Sequence, residues 1–382
     1  MNRTNCLVAL LCLLFSFNSV LATNGDHLIG IGPKARGMGG VGIGAYHGAE
    51  SLLINPAMIG RAERDELFIG ATLFMPDVKN DIGGGYAQSK NDLNVIPGIS
   101  YVDNIDGRFF WGIGALGTAG MGVDYRGSAA NLNMYTKLEL MQFAVPLVYR
   151  TEWFSLGVTP VAQYGRLKIR YTGSTTPERS SDFNVGYQLG ISTRVDNLCL
   201  GAVYKSAIDM TYQGQLSNAM FDFTGISGFS NHLEQPHEIG LGMGYRYGRH
   251  KLAADYKVIG WESAAGYKSF GWRDQKVHIL GYEYRTEAWA FRMGYNHAKS
   301  PIRNQGNSGV IQNTLNLLGF PAIVEDHYTL GLSKSLGKDA RVDVAYTYAP
   351  NVIQTYQSMF PGQDVSTRHA QRALTIGIVQ KY

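Results

Sequence analysis

From Glu66 to the last residue the sequence alternates bulky apolar residues with small or polar ones, a period of two repeated in segment after segment. In Ile239-Leu241-Met243-Tyr245-Tyr247 the apolar residues interleave with Gly240, Gly242, Gly244 and Arg246. Phe183-Val185-Tyr187-Leu189-Ile191, Trp289-Phe291-Met293-Tyr295 and Val342-Val344-Tyr346-Tyr348 read the same way. Strands built like this have one greasy face and one small or polar face. A soluble sandwich also alternates, so the connections have to decide between the two.

They do so by length. The strands read as 66–75, 96–103, 107–117, 135–150, 153–172, 182–196, 198–212, 234–247, 250–260, 275–286, 288–299, 325–336, 340–349 and 371–381. Short links (Asp103–Asp106, Thr151-Glu152, Asn197, Gly248-Arg249, Glu287, Gly337–Asp339) alternate without exception with long ones (76–95, 118–134, 173–181, 213–233, 261–274, 300–324, 351–370). Both ends of the series lie on the short-turn side. This is the layout of an all-β transmembrane antiparallel β-barrel of about fourteen strands, with short periplasmic turns and longer external loops. Closure removes the exposed edges that an open sheet of this size would carry.

Composition agrees where it is informative. The 47 glycines and 23 tyrosines suit a wall with small lumen residues and aromatic girdles. Tyr101, Tyr149, Trp153, Tyr245, Tyr247, Tyr282, Tyr284 and Trp289 lie beside short turns, and Tyr295, Tyr346 and Tyr348 at the opposite strand ends, where amphipathic rings meet headgroups. The final strand ends Leu374-Ile376-Ile378 with Tyr382 last, which resembles the terminal aromatic signal read by the barrel assembly machinery. Apolar parity switches within the fifth strand beyond Tyr164-Gly165, and within the fourth near Leu140-Met141, predicting bulges in both. Pro97, Gly98, Pro146 and Pro160 interrupt strand ladders and are the candidates for a kink or lateral opening.

The N-terminus divides in two. Residues 1–22 read as a signal peptide, with Arg3 before a short apolar core, Leu7 to Phe17, and a small residue, Ala22, at the cleavage site. Cys6 and Cys12 would leave with it, so Cys199 stays unpaired. Residues 23–62 fit neither strand nor helix. Their run Arg36-Gly37-Met38-Gly39-Gly40-Val41-Gly42-Ile43-Gly44, closed by Asn55-Pro56-Ala57, reads as a plug held by the barrel of residues 63–382. The run satisfies the dinucleotide fingerprint G-x-G-x-x-G, but it has no preceding strand and no βαβ pattern follows. Dense glycine instead permits close packing and positive φ. Arg36, Gly37, Gly39, Gly40, Gly42, Asn55, Pro56 and Ala57 are the candidate gating residues.

Thr23–Gly30, the Arg-Gly-Met-Gly-Gly-Val-Gly run and Asn55-Pro56-Ala57 together resemble the N-terminal hatch of the FadL-type outer-membrane transporters of long-chain fatty acids and aromatic hydrocarbons. Gln235–Gly242, Trp272–Gln275, Leu280–Tyr284, Arg292–Asn296, Phe320-Pro321-Ala322 and His327–Ser333 extend the likeness over nearly the whole mature chain. The resemblance implies a fourteen-stranded barrel with the hatch in its lumen. It also implies diffusion without an energy source, from an external groove to a pocket and out through a gap beside a strand kink. Such a solute gains about 0.8 kcal/mol per methylene buried along an apolar path. In the family a basic residue commonly meets the substrate carboxylate, and the lumen-parity candidates are Arg246, Lys257 and Arg292, with Arg36 on the hatch.

Other classes find less support. A formal charge of +4 gives no basis for nucleic-acid binding. His237, His278, His297 and His327 show no metal spacing, no cofactor motif is present, and no nucleophile elbow or carboxylate pair stands out, so an enzyme is not expected. The alternatives kept are a non-transporting structural or assembly barrel and an outer-membrane lipid hydrolase. The partners expected are a hydrophobic small molecule, outer-membrane lipid and lipopolysaccharide, with Arg166, Lys168 and Arg170 as candidates for its phosphates, and the chain is read as a monomer.

Overall fold

The wall is a ring of fourteen antiparallel strands in sequence order. They are β1 (Glu66–Asp81), β2 (Asn94–Asn104), β3 (Phe109–Met121), β4 (Tyr135–Ala144 and Leu147–Arg150), β5 (Phe154–Arg170), β6 (Ser180–Val195) and β7 (Leu198–Lys205). The second half comprises β8 (Glu238–Tyr247), β9 (His250–Ile259), β10 (Gln275–Arg285), β11 (Trp289–Ala298), β12 (Asp326–Leu336), β13 (Ala340–Gln357) and β14 (Asp364–Lys381). Closure is by β14 on β1, from Lys381↔Glu66 to Ser366↔Asp81. The computed structural model describes residues 23–382, so the signal peptide expected at 1–22 lies outside the described residues. No helix among them is long and apolar enough to cross a membrane; the strands do the crossing.

Parity decides which face meets lipid. Ile239, Leu241, Met243 and Tyr245 are exposed on the outer surface, while Gly240 and Gly244 turn inward against the chain inside. Trp153, Tyr149, Tyr247 and Trp289 stand exposed beside the short turns, and Tyr328, Tyr346 and Tyr348 near the other rim. An outer apolar band between two aromatic belts is what the bilayer requires of a spanning barrel.

Two bulge expectations are corrected. β5 keeps a continuous register with β6 from Phe154↔Thr193 to Leu167↔Ser180, so it carries no bulge. The apolar residues change sides because the surroundings change. Leu156 and Val158 face lipid, whereas higher up Leu167 and Ile169 face an apolar lumen, and Arg166, Lys168 and Arg170 point outward. The irregularity expected in β4 lies across from it instead, as an extra residue in β3 between Gly117 and Ala119, opposite Leu140 and Met141. Strand ends also differ. β7 stops at Lys205 and β8 starts at Glu238, leaving only the bridges Ile208↔Gln235 and Thr211↔His232 beyond them. The long link expected at 351–370 is mostly strand, because β13 and β14 continue as a hairpin past a register shift at Ala349/Val352. Its inner face packs Val352, Tyr356 and Val365 against the apolar cluster but sets Gln354 and Thr367 between them, and Ile353 lies exposed on the other face, so its sequence carries no clean alternation.

Residues 23–62 are bonded to the inner face of the wall at many points. Gly39 donates its N–H to Thr329 Oγ1 (2.9 Å) and accepts from Asn296 Nδ2 (3.1 Å). Ala49 N–H reaches Glu66 Oε1 (2.9 Å), and Arg150 Nη1 donates to the Gly60 carbonyl (2.9 Å). Locally the segment follows ordinary rules. Pro33 opens the short helix α1 (Gly32–Arg36), and Asn55 caps the 3₁₀ turn Pro56–Arg61 by accepting the Ala57 N–H (3.1 Å). Gly40 has φ +98°, and a Cβ there would lie 1.7 Å from the Ile29 carbonyl oxygen, so no other residue fits. Wall glycines answer those of the segment: a Cβ on Gly294 would fall 2.1 Å from Gly39 N.

Candidate functional site

At the external end the long loops fold over the bore and make it apolar. Helix α2 (Val310–Gly319) buries Leu317 and Leu318 in one cluster with Phe74, Val78, Met134 and Leu138 of the surrounding wall and loops. Its Leu317 carbonyl accepts from Thr367 Oγ1 (2.7 Å). Deeper in, Trp261, Tyr267 and Trp272 pack on one another with ring centroids 4.6–5.1 Å apart. Both indole N–H groups are satisfied, by Gln275 (2.9 Å) and Asn316 (2.8 Å), so these rings present apolar faces without a buried donor left over.

The start of segment 23–62 sits beside this cluster. Asp26 is fully buried and accepts from Gln235 Nε2 (3.0 Å) and the Tyr267 hydroxyl, while the His27 ring packs against Trp261 at 5.1 Å. Burial raises the Asp26 carboxyl above its ordinary range, offset in part by His27 and by those hydrogen bonds. Burial likewise holds the His27 imidazole below its usual range, against the pull of Asp26 and Glu238. This corner is polar but closely paired.

Beside it lies a cavity of about 80 Å³, lined by Leu28, Ile29, Ile43, Leu53, Ile54 and Ile279 together with Thr118, Gln142, Gln235, Glu238, Asp255 and Lys257. A cavity of roughly 150 Å³ holds one benzene, so this space would admit one only if its lining from residues 27–54 moved. What holds that segment is Asp255, whose carboxylate accepts the N–H groups of Gly42 (2.6 Å), Ile43 (2.9 Å) and Gly44 (3.4 Å). Hydrogen bonds to a charged group contribute about 1.5–3 kcal/mol each. Asp255→Asn keeps the volume but loses the charge, and is expected to speed amide exchange of residues 42–44 by about 10- to 100-fold, with the β9 and β10 amides unchanged. Mass-spectrometric hydrogen exchange reads this directly. Equal exchange would mean that Asp255 does not restrain the segment.

The wall opens next to the same cavity. β2 pairs with β3 only from Asn104↔Phe110 up to Gly98↔Leu116. Above that rung, Asn94–Pro97 pairs with β1 alone, while β3 continues to Met121 paired with β4. Pro97 has no N–H to give, and the bulge at Thr118 turns β3 inward, so the two strands part. The freed edge of β3 is taken by segment 23–62: Ala119 pairs with His27, and Gly120 N–H reaches the Asp26 carbonyl (3.0 Å). Higher up the wall closes again, with Asp124 N–H on Ser89 Oγ (3.0 Å) and Asn91 Nδ2 on the Gly122 carbonyl (3.1 Å). The gap is therefore a bounded slot, filled by the Ile96 side chain against Gly117.

The residues singled out from sequence are spread over several places. Pro97 and Gly98 stand at the slot. Pro146 breaks β4, yet its carbonyl still accepts from Gly112 (3.0 Å), and Pro160 pairs regularly opposite Tyr187. Lys257 lines the cavity, 3.0 Å from Glu238. Arg292 is buried against Glu283 (2.7 Å), and Arg246 lies at the short-turn mouth, 3.5 Å from the same carboxylate. Arg36 is buried and donates to the Gly30 carbonyl (3.0 Å), closing the loop of its own segment. Thr118 and Asp26 carried no signal in the sequence, since a threonine in a strand and an aspartate near a terminus are both commonplace. No group of side chains among the described residues is arranged to hold a metal ion.

A closed fourteen-stranded wall with an apolar outer band, and with residues 23–62 bonded to its inner face, defines a membrane-spanning β-barrel. Residues 29–379 match the family model described as outer membrane protein transport protein (OMPP1/FadL/TodX), and the chain belongs to that family. Its structure resembles that of the Pseudomonas putida toluene transporter TodX, with 19% identity, a TM-score of 0.72, and 94% of this chain and 100% of that one covered. A Pseudomonas aeruginosa FadL homologue gives 14%, 0.73, 94% and 99% respectively. The Ralstonia pickettii toluene transporter TbuX gives 17%, 0.67, 93% and 99%. No curated relative matches.

Proposed function

We propose that this outer-membrane protein is a passive route for hydrophobic small molecules, long-chain fatty acids or aromatic hydrocarbons, with residues 23–62 as its hatch and the slot between β2 and β3 as its exit. The observation that carries this reading is that slot, bordered by Thr118 on the wall of the central cavity. A solute leaving there passes from an apolar bore into the membrane without crossing a water-filled mouth. The toluene transporters among its structural relatives support the hydrocarbon side of the reading. Lys257 is the basic residue placed to meet a carboxylate, by exchanging its partner Glu238. Outside the bore, the outward-facing Arg166, Lys168 and Arg170 of β5 support contact with lipopolysaccharide phosphates, and the exposed Tyr382 supports a signal to the assembly machinery.

The test is uptake into vesicles carrying the purified protein. Labelled toluene or oleate is expected to enter well above the rate of empty vesicles, while a sugar of similar size is excluded. No binding and no uptake of either compound would overturn the proposal and favour a structural barrel.

A further inference from the structure

The short-turn mouth holds a second cavity, of about 400 Å³, separate from the one beside the slot. Nine lysines and arginines line it against three glutamates, an imbalance that uptake of a hydrocarbon does not require. Most of these cations have partners: Arg246 and Arg285 lie 3.5 and 3.0 Å from Glu283. Three do not. Arg61, Arg194 and Lys251 line the cavity together with Cys199, and none of the three forms an ion pair among the described residues. Lys251 is only 8% exposed, and the hydrogen bond shown for its ammonium is a long one, 3.3 Å to the Tyr46 carbonyl. Arg61 Nε is buried without a partner, and Arg194 Nε reaches only the Asp196 carbonyl (2.7 Å). A buried ammonium held in no ion pair is costly; Glu283, across the strand pair from Lys251, already serves Arg246, Arg285 and Arg292, so an anion in this cavity would relieve that cost.

We infer that this basin is an oxyanion site, taking a carboxylate or phosphate group on Lys251, Arg61 and Arg194 at the short-turn mouth. The group belongs either to a free inorganic anion or to the head of an amphiphile. The site is built partly from the hatch, through Arg61 and the Gly44–Gly48 backbone, and partly from the wall, through Arg194 and Lys251. A bound anion therefore ties the two together. The inference stands whether or not the channel reading does, because it needs only the folded protein.

Cys199 reports on the site from inside it. The experiment follows the rate at which purified, folded protein lacking residues 1–22 is modified at Cys199 by an anionic methanethiosulfonate and by its cationic counterpart. A cleft of one charge sign concentrates its counter-ion by about 10-fold or more, so the anionic reagent is expected to react about 10-fold faster. Inorganic phosphate is expected to slow it. Lys251→Gln and, separately, Arg194→Gln are expected to reduce that preference, with unchanged heat-modifiable mobility showing that each variant is folded. Octanoate protecting better than phosphate assigns the site to an amphiphile head, and equal protection assigns it to a free anion. Equal rates for the two reagents, or protection by octanol as strong as by octanoate, would overturn the inference.

Discussion

Removing Gly25 to Gly60 is expected to turn the protein into an open pore for small polar solutes. The barrel does not depend on that segment for closure, since β14 pairs with β1 over its whole length, from Lys381↔Glu66 to Ser366↔Asp81. The bore does depend on it. Asp255, Asn296, Thr329 and Glu66 face inward and are satisfied by hatch backbone. Without the segment those groups turn to water, and polar inner walls of barrels in this size range hold water-filled channels. Liposome swelling with a tetrasaccharide is expected to rise by more than an order of magnitude, while the variant keeps the heat-modifiable mobility of a folded barrel. Unchanged permeability in a folded variant would show that loops 206–237, 260–274 and 299–325 seal the bore unaided.

The wall was legible in the sequence because lipid imposes a single rule on every strand. Where that rule ends, legibility ends too. The hairpin beyond Ala349 mixes polar and apolar residues on its inner face and reads as a loop although it is strand. In the upper part of β5, Leu167 and Ile169 follow the apolar rule on the inner face, which looks like a bulge when only parity is considered. Segment 23–62 stood out through its glycines, and close contacts such as Gly294 against Gly39 explain why those positions are small. The slot left little trace. Pro97 was one of three prolines in strands, and what sets it apart is Thr118, a single extra residue in the neighbouring strand. The basic basin left none, because Arg61, Arg194 and Lys251 come from three separate segments and meet only in space.

That slot also provides the strongest test of the route. Ile96 Cβ lies 3.8 Å from where a Cβ on position 117 would stand, which is the usual separation across a disulfide. Ile96→Cys with Gly117→Cys, in a Cys199→Ser background, is therefore expected to bond on oxidation and stitch β2 to β3 at the one place where their ladder is missing. Ile96→Cys alone, which adds no atom at position 117, and the reduced double variant serve as controls; Gly117→Cys alone would set its Cβ 2.5 Å from Ile96 Cγ2. Uptake of labelled toluene or oleate by vesicles carrying the double variant is the deciding measurement. If solutes leave sideways, uptake falls to the level of empty vesicles when the pair is oxidised and returns on reduction. Uptake by the oxidised, fully cross-linked protein at the rate of the reduced form would contradict the account.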